Sequence, residues 1–401
     1  MNKKLIALAV AAAIAPAAAM ADSGNVTIYG VANMSVDNVS ANGGAGAATT
    51  NVPGHGRVSS NNSHLGFKGS EDLGNGLSAI WQIEQTIGMD GTAAGFNTRN
   101  TYLGLSSKTM GTALIGQHDT PYKLATGKLD IFADTLADYN SIIGTTGFNM
   151  TTGATVAASA QFDRRTGNTA AYITPTVNGL HGAIGYVFGE NPTLEPLAAA
   201  TTQKQAKAWS LAGIYDNGPI FASLAWEKHD NLDDMGLRAG VTTPGNAEDT
   251  ATGLKLGLGY KFNTTKVGFV WEKLKGDVSG SGVVAGDVTE YERNAWNLNL
   301  AHQMGANTFK IAYARADKGS CSVSGGFTCD AAGTKAHQWT VGVDHAMSKR
   351  TNVYALWTQI NNDYDSTTAS GNMYNFGANP VAGATAGADP RALSLGVRHS
   401  F

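Results

Sequence analysis

Alternation with a period of two runs through most of this chain. Leu254, Leu256, Leu258, Tyr260 and Phe262 are separated by Lys255, Gly257, Gly259 and Lys261. In an extended strand these sets fall on opposite faces, one apolar and one polar. Leu393, Leu395, Val397 and Phe401 against Ser394, Gly396, Arg398 and Ser400 repeat the pattern. So do Trp339, Val341 and Val343 against Gln338, Thr340, Gly342 and Asp344. A soluble sandwich shares the period, but its apolar face is a core. Two features favour a membrane barrel with its apolar face outside. The segments run about ten residues, the length a tilted strand needs to cross a bilayer. Trp226, Tyr260, Phe262, Trp271 and Phe401 stand near segment ends, where an interfacial girdle places aromatics.

Sixteen such segments can be laid out, at 24–38, 56–69, 75–88, 97–107, 111–118, 163–173, 181–190, 206–215, 219–229, 252–262, 265–275, 290–303, 307–317, 335–346, 350–360 and 391–401. An even number suits a single-chain bacterial barrel. The connections alternate in length. Those at 69–76, 107–111, 216–218, 263–264, 304–306 and 347–349 are short; those at 39–54, 119–162, 191–205, 230–251, 276–289, 318–334 and 361–390 are long. Short periplasmic turns and long extracellular loops produce this asymmetry, which a sandwich has no reason to show. Pairing the first segment with the last removes exposed edges. The expected fold is therefore all-β, a 16-stranded antiparallel transmembrane β-barrel forming one domain over residues 22–401.

The first residues set the compartment. Asn2-Lys3-Lys4, an apolar run from Leu5 to Ala15, and a small-residue stretch ending in Ala19-Met20-Ala21 occur in the order of a secretory signal peptide. Residues 1–21 are expected to be removed by cleavage between Ala21 and Asp22. Loss of Lys3 and Lys4 leaves 26 of the 28 basic residues against 31 acidic ones, a formal charge of −5. No basic excess points to nucleic acid. Past the signal, no stretch approaches the roughly 18 apolar residues of a membrane helix. Cys321 and Cys329 are the only cysteines. In an exported chain such a nearby pair reads as a disulfide pinning one loop, and two cysteines alone are a poor zinc site.

Catalytic motifs are missing. The chain has no G-x-S-x-G, H-E-x-x-H, phosphate-binding loop or C-x-x-C, and its nine histidines are scattered without ligand spacing. No metal, no cofactor and no enzymatic activity are expected.

Several motifs resemble one family. They are Val26-Thr27-Ile28-Tyr29-Gly30, the run from Leu65-Gly66-Phe67-Lys68-Gly69-Ser70 through Glu71-Asp72-Leu73-Gly74-Asn75-Gly76-Leu77, then Ala79-Ile80-Trp81-Gln82-Ile83-Glu84, Arg99-Asn100-Thr101-Tyr102-Leu103-Gly104-Leu105, Ser348-Lys349-Arg350-Thr351 and the terminal Gly396-Val397-Arg398-His399-Ser400-Phe401. Together they resemble the trimeric general diffusion porins of Gram-negative bacteria, of the β-proteobacterial type. The resemblance implies a homotrimer in the outer membrane, in contact with lipid and lipopolysaccharide. It also implies Phe401 as the signal read by the barrel-assembly machinery, and a third long loop folded into each lumen.

That loop is 119–162, the longest connection, and a loop of this length is usually functional. It carries Asp119, Asp130, Asp134 and Asp138. In the family an acidic patch on this loop opposes basic residues on the wall. The resemblance maps Glu84 to the acidic side, and Arg99, Arg164 and Arg165, with His64 and Lys68, to the basic side. His64 stands where the family usually has Arg, and Val31 where relatives carry Lys. The basic wall is thinner for it, because an ordinary His is mostly neutral at pH 7. Asp130, Asp134 and Asp138, at fourfold spacing, have the alternative role of a solvated face, and Arg164-Arg165 that of a rim pair. The expected activity is passive diffusion of ions and small hydrophilic solutes with weak charge selectivity, leaning to cations on the −5 charge. A solute-specific channel, an outer-membrane enzyme and a plugged barrel are the alternatives.

Overall fold

A computed structural model describes residues 26–43, 51–91, 99–146, 161–189, 205–232, 235, 237, 241, 247–326, 331, 333–365, 370–371, 374–377, 379–385 and 387–401. The expected signal segment and its Ala21–Asp22 junction lie outside these residues, as does Cys329. Cys321 sits on a short outer strand.

In chain order the strands are β1 Val26–Asn42, β2 Val52–Ser60, β3 His64–Gly74, β4 Leu77–Thr86, β5 Thr101–Ser107, β6 Gly111–Asp119, β7 Arg165–Ile173, β8 Leu180–Val187, β9 Lys207–Asn217 and β10 Ile220–Asp230. They continue as β11 Ala247–Phe262, β12 Thr265–Gly280, β13 Val288–Met304, β14 Asn307–Ala316, β15 Ser320–Val323, β16 Ala336–Ala346, β17 Thr351–Asn362, the minor pair β18 Tyr364–Asp365 and β19 Ser370–Gly371, and β20 Asp389–Ser400. Eighteen of them form one sheet. β2 and β3 lie end to end along β1, and β14 and β15 end to end along β13, so the sheet has sixteen staves. Every pairing is antiparallel, and β1 closes the ring against β20 from Val31–Ser400 to Asn42–Asp389.

The faces divide as the alternation requires. On β20, Leu393, Leu395 and Val397 are about half exposed, whereas Ala392 and Ser394 are buried. In a bilayer the exposed set meets hydrocarbon, and closure satisfies every stave's backbone groups. Trp209, Trp226, Trp271, Trp296 and Trp339 share the outward parity with exposed aliphatic residues of their strands, Leu211, Leu224, Val267, Leu298 and Val341. Two and four residues beyond Trp271 the outward face turns ionic. Lys273 meets Glu292 at 2.9 Å and Lys275 meets Glu290 at 3.1 Å. Charge at that height belongs to the water side of an aromatic belt.

Several boundaries differ from the sequence expectation. The second segment breaks at residues 61–63, where Asn62 takes φ +54°, and resumes as β3. β3 then runs through Ser70, Glu71 and Asp72, which resemble turn residues, to a two-residue turn at Asn75-Gly76. Both turn residues are left-handed, with φ +54° and +75°, the geometry that matches strand twist in a tight hairpin. Polar residues are tolerated there because that end of the hairpin projects past the membrane. The outer ends of β11 and β12 also reach five residues further than expected, to Ala247 and Gly280. Above the bilayer a strand no longer needs an apolar face.

Candidate functional site

The described part of the connection between β6 and β7, residues 120–146 and 161–164, lies inside the barrel. It opens with a four-residue helix, α1 Pro121–Leu124, capped by the Thr120 hydroxyl, and continues through short 3-10 turns. Its residues Tyr122, Leu129, Phe132, Leu136, Ile142, Ile143 and Phe162 are all at most 7 % exposed. Inward-facing glycines on the wall receive them. A Cβ at Gly253 would stand 2.7 Å from Phe162, one at Gly257 2.9 Å from Thr126, and one at Gly342 2.9 Å from Phe132. The glycine-rich polar faces are thus docking sites for the loop as well as thin wall. One side of the lumen is consequently dry, which a uniform hydrophilic lining does not describe. The last long connection adds to it: Tyr374 and Phe376 are fully buried, Tyr374 Oη donates to Thr146 O at 3.0 Å, and Arg57 Nη1 donates to Pro380 O at 2.7 Å.

Ionic contacts fasten the loop to the wall. Lys255 on β11 pairs with Asp163 and lies 3.8 Å from Glu272 on β12. Its ammonium also stands 4.0 Å from the Tyr122 ring centroid. Glu272 accepts from Tyr122 Oη at 3.0 Å and from Gly144 N at 2.9 Å, and it pairs with Arg293 at 3.1 Å. Arg293 in turn donates to the carbonyls of Ile142 and Thr145. Asp163 accepts from Tyr139 Oη and from Asn140 Nδ2, each at 2.9 Å. Lys255 and Glu272 are fully buried and Arg293 is 1 % exposed. Removing such ions from water costs several kcal/mol each, so the arrangement stands only because nearly all are paired.

The loop tip closes the circuit. Asp134, at φ +57°, pairs with Arg398 of β20 at 3.2 Å. Its carbonyl accepts from Asn33 of β1 at 2.6 Å, and its carboxylate accepts from Asn62 at 3.1 Å. Asp130 and Asp138 turn toward the loop's own backbone. Asp130 accepts from Phe132 N at 2.9 Å and Tyr139 N at 3.1 Å; Asp138 accepts from Asn140 N at 2.8 Å. Burial raises both carboxyls above the ordinary range, and the neighbouring Asp138 charge raises Asp130 further. These two aspartates therefore shape the turn and do not face wall cations.

The other sequence-derived residues gather on β3 to β7. Arg99 Nε pairs with Glu84, whose second oxygen accepts from Tyr29 Oη at 2.8 Å. Arg99 lies just before β5, outside its alternation, and so reaches the lumen despite sharing parity with Thr101 and Leu103. Asp119 is held by Lys123 at 3.0 Å, Arg165 at 3.1 Å and Asn100 at 2.9 Å. Arg164 is half-buried, and its carbonyl accepts from Thr120 N where the loop begins. His64 is buried, with Nδ1 bonded to Asn62 O at 2.8 Å. Lys68 is exposed, its ammonium 5.1 Å from the Tyr29 ring centroid. Sequence reasoning did not single out Tyr29, Asn100, Lys123, Asp163, Lys255, Glu272, Arg293 or Arg398. Inward parity was the one available signal, and it marks Lys255 and Arg398.

The geometry has counterparts. The profile of the family described as Gram-negative porin matches residues 7–366. The outer membrane porin protein 32 of Delftia acidovorans is 29 % identical over 407 residues, covering all of both chains. The major outer membrane protein P.IB of Neisseria meningitidis serogroup A is 28 % identical over 373 residues, 90 % of this chain and 94 % of that one. Among solved structures, the anion-selective porin from Comamonas acidovorans superposes with a TM-score of 0.67 at 24 % identity, over 94 % of this chain and 99 % of that one. With nine-tenths of its length matched and a closed barrel holding an inserted loop, the chain belongs to the Gram-negative porin family and resides in the outer membrane.

Proposed function

We propose that the open channel runs between the inserted loop and the inner faces of β3 to β7, and that its charges give a weak preference for anions. The barrel is a passive diffusion channel for ions and small hydrophilic solutes. A solute crosses it hydrated, because polar side chains on the uncovered wall keep water in place.

One observation carries the selectivity. On the uncovered side, Lys68, Arg99, Lys123 and Arg165 stand against Glu84 and Asp119 among the described residues. The overall charge of −5 suggested a cation preference, but much of the acidic side is spent elsewhere. Asp163 and Glu272 are neutralised behind the loop, and Asp130 and Asp138 are buried in it. Their fields are compensated where they stand, whereas the wall cations act on solute in the lumen. Pairing with Glu84 and Asp119 keeps the bias weak. The anion selectivity named for the Comamonas relative is in the same direction. The zero-current potential across a planar bilayer in a KCl gradient tests this: a small anion-side value is expected, and a cation-side value overturns it.

The remaining assignments extend the same proposal. The chain is exported, cleaved after Ala21, and closed by a disulfide between Cys321 and Cys329. It assembles as a homotrimer among outer-membrane lipids and lipopolysaccharide, without catalytic turnover. The barrel-assembly machinery reads the last strand, whose Phe401 exchanges backbone hydrogen bonds with Gly30 at 3.0 and 3.1 Å.

A further inference from the structure

The uncovered wall carries a feature that simple diffusion does not use. Tyr29 on β1 faces inward and lies across Gly66 on β3, where a Cβ would come within 2.2 Å of the tyrosine Cζ. Gly66 therefore has no side chain so that the ring can lie along the wall. The phenol is fixed there by its bond to Glu84. Lys68, two residues on from Gly66 on the same strand face, holds its ammonium near that ring. Among the described residues, no carboxylate pairs with Lys68, whereas Arg99, Lys123 and Arg165 each have one. Along the same row, Lys68 is opposite Gln82 and Gln82 is opposite Tyr102. Two strand spacings separate Lys68 from Tyr102, roughly 9–10 Å. Tyr102 is inward, half-buried, and held edge-on by His118 at a centroid distance of 5.2 Å.

An exposed wall cation with no carboxylate partner among the described residues, beside two aromatic rings held in place, has a definite complement. Its complement has a carboxylate for the ammonium and a flat π-face for the tyrosines. We propose that Lys68, Tyr29 and Tyr102 form a wall subsite that retains aromatic carboxylates during their passage. Aliphatic acids satisfy only the lysine, and neutral arenes only the rings. The subsite rests on the channel reading above and specifies a solute class for it. Aromatic contacts of this kind contribute about 0.5–1.5 kcal/mol, which corresponds to a residence roughly two- to tenfold longer.

The test is current noise of the full-length protein in a planar bilayer, with benzoate, cyclohexanecarboxylate or benzyl alcohol added to KCl. Benzoate is expected to block transiently, with a residence roughly two- to tenfold longer than either comparator. Tyr29→Phe keeps the ring and is expected to retain both differences; Tyr29→Leu is expected to abolish the difference from cyclohexanecarboxylate and Lys68→Gln the difference from benzyl alcohol, each measured against its own open-channel current. Equal residence of benzoate and cyclohexanecarboxylate in a conducting wild-type channel overturns the subsite and leaves the channel reading intact. Persistence of the difference between benzoate and benzyl alcohol in Lys68→Gln also overturns it. Failure of the wild type to conduct KCl overturns the channel reading instead.

Discussion

Arg293 and Glu272 meet at 3.1 Å inside the barrel, with neither side chain reaching solvent. Glu272 also receives Tyr122 and Gly144 from the two limbs of the inserted loop. One carboxylate thus ties both limbs to the wall. Glu272→Gln leaves Arg293 and Lys255 short of charge in a buried place. Loss of one partner of such a pair costs about 3–5 kcal/mol. The variant is expected to unfold at lower temperature in detergent, and its single-channel trace to be noisier as the loop loosens. An unchanged melting temperature and a quiet trace contradict the tether.

Selectivity should follow single charges on the uncovered wall. Arg165→Ala removes a cation 3.1 Å from Asp119. The zero-current potential is expected to move toward cation preference, and to move further at low salt, where screening is weaker. Glu84→Gln, which frees Arg99, is expected to move it the opposite way. Shifts of the same sign in both variants contradict the assignment of the passage to this wall.

The aspartate pair in the loop predicts a pH dependence with a definite sign. Burial raises Asp130 and Asp138 above the ordinary carboxyl value. The folded loop therefore holds its proton to higher pH than the unfolded chain does. That contribution to stability is fully present below the ordinary carboxyl range and is lost as pH rises through the raised value. Open-channel noise is expected to grow from acidic toward alkaline pH, and Asp130→Asn is expected to flatten the trend. Noise that falls with rising pH in the wild type contradicts the shift.

Gly66→Ala tests the ring against the wall. The new methyl meets the Tyr29 ring at 2.2–2.6 Å, so the ring must leave and Glu84 loses its phenol donor. Overpacking of this kind costs about 1–3 kcal/mol. A lower melting temperature is expected, with part of the loss recovered in the double variant Gly66→Ala/Tyr29→Leu. A wild-type melting temperature in the single variant contradicts the close approach.

The barrel was legible because its signal is local. Leu254 to Phe262 alternate whatever their neighbours do, and long and short connections alternate on the sequence itself. The inserted loop was legible by length. What its aspartates do was not. Asp130, Asp134 and Asp138 are alike in sequence, yet one reaches Arg398 and the other two cap backbone amides. The tether was hidden for a further reason. Lys255 and Glu272 occupy inward positions, and an inward polar residue looks the same whether water or a loop covers it. Only the fold brings Asp163 and Gly144 to them across about a hundred residues of chain. Gly66 likewise looks like thin wall until Tyr29 is seen lying on it.

Single-channel current through the purified protein in a planar bilayer, over a series of KCl concentrations, addresses the passage most directly. A hydrated path beside the inserted loop predicts stable openings whose conductance rises in near proportion to salt, with little rectification. A folded barrel that inserts and passes no steady current would show instead that the loops fill the lumen completely.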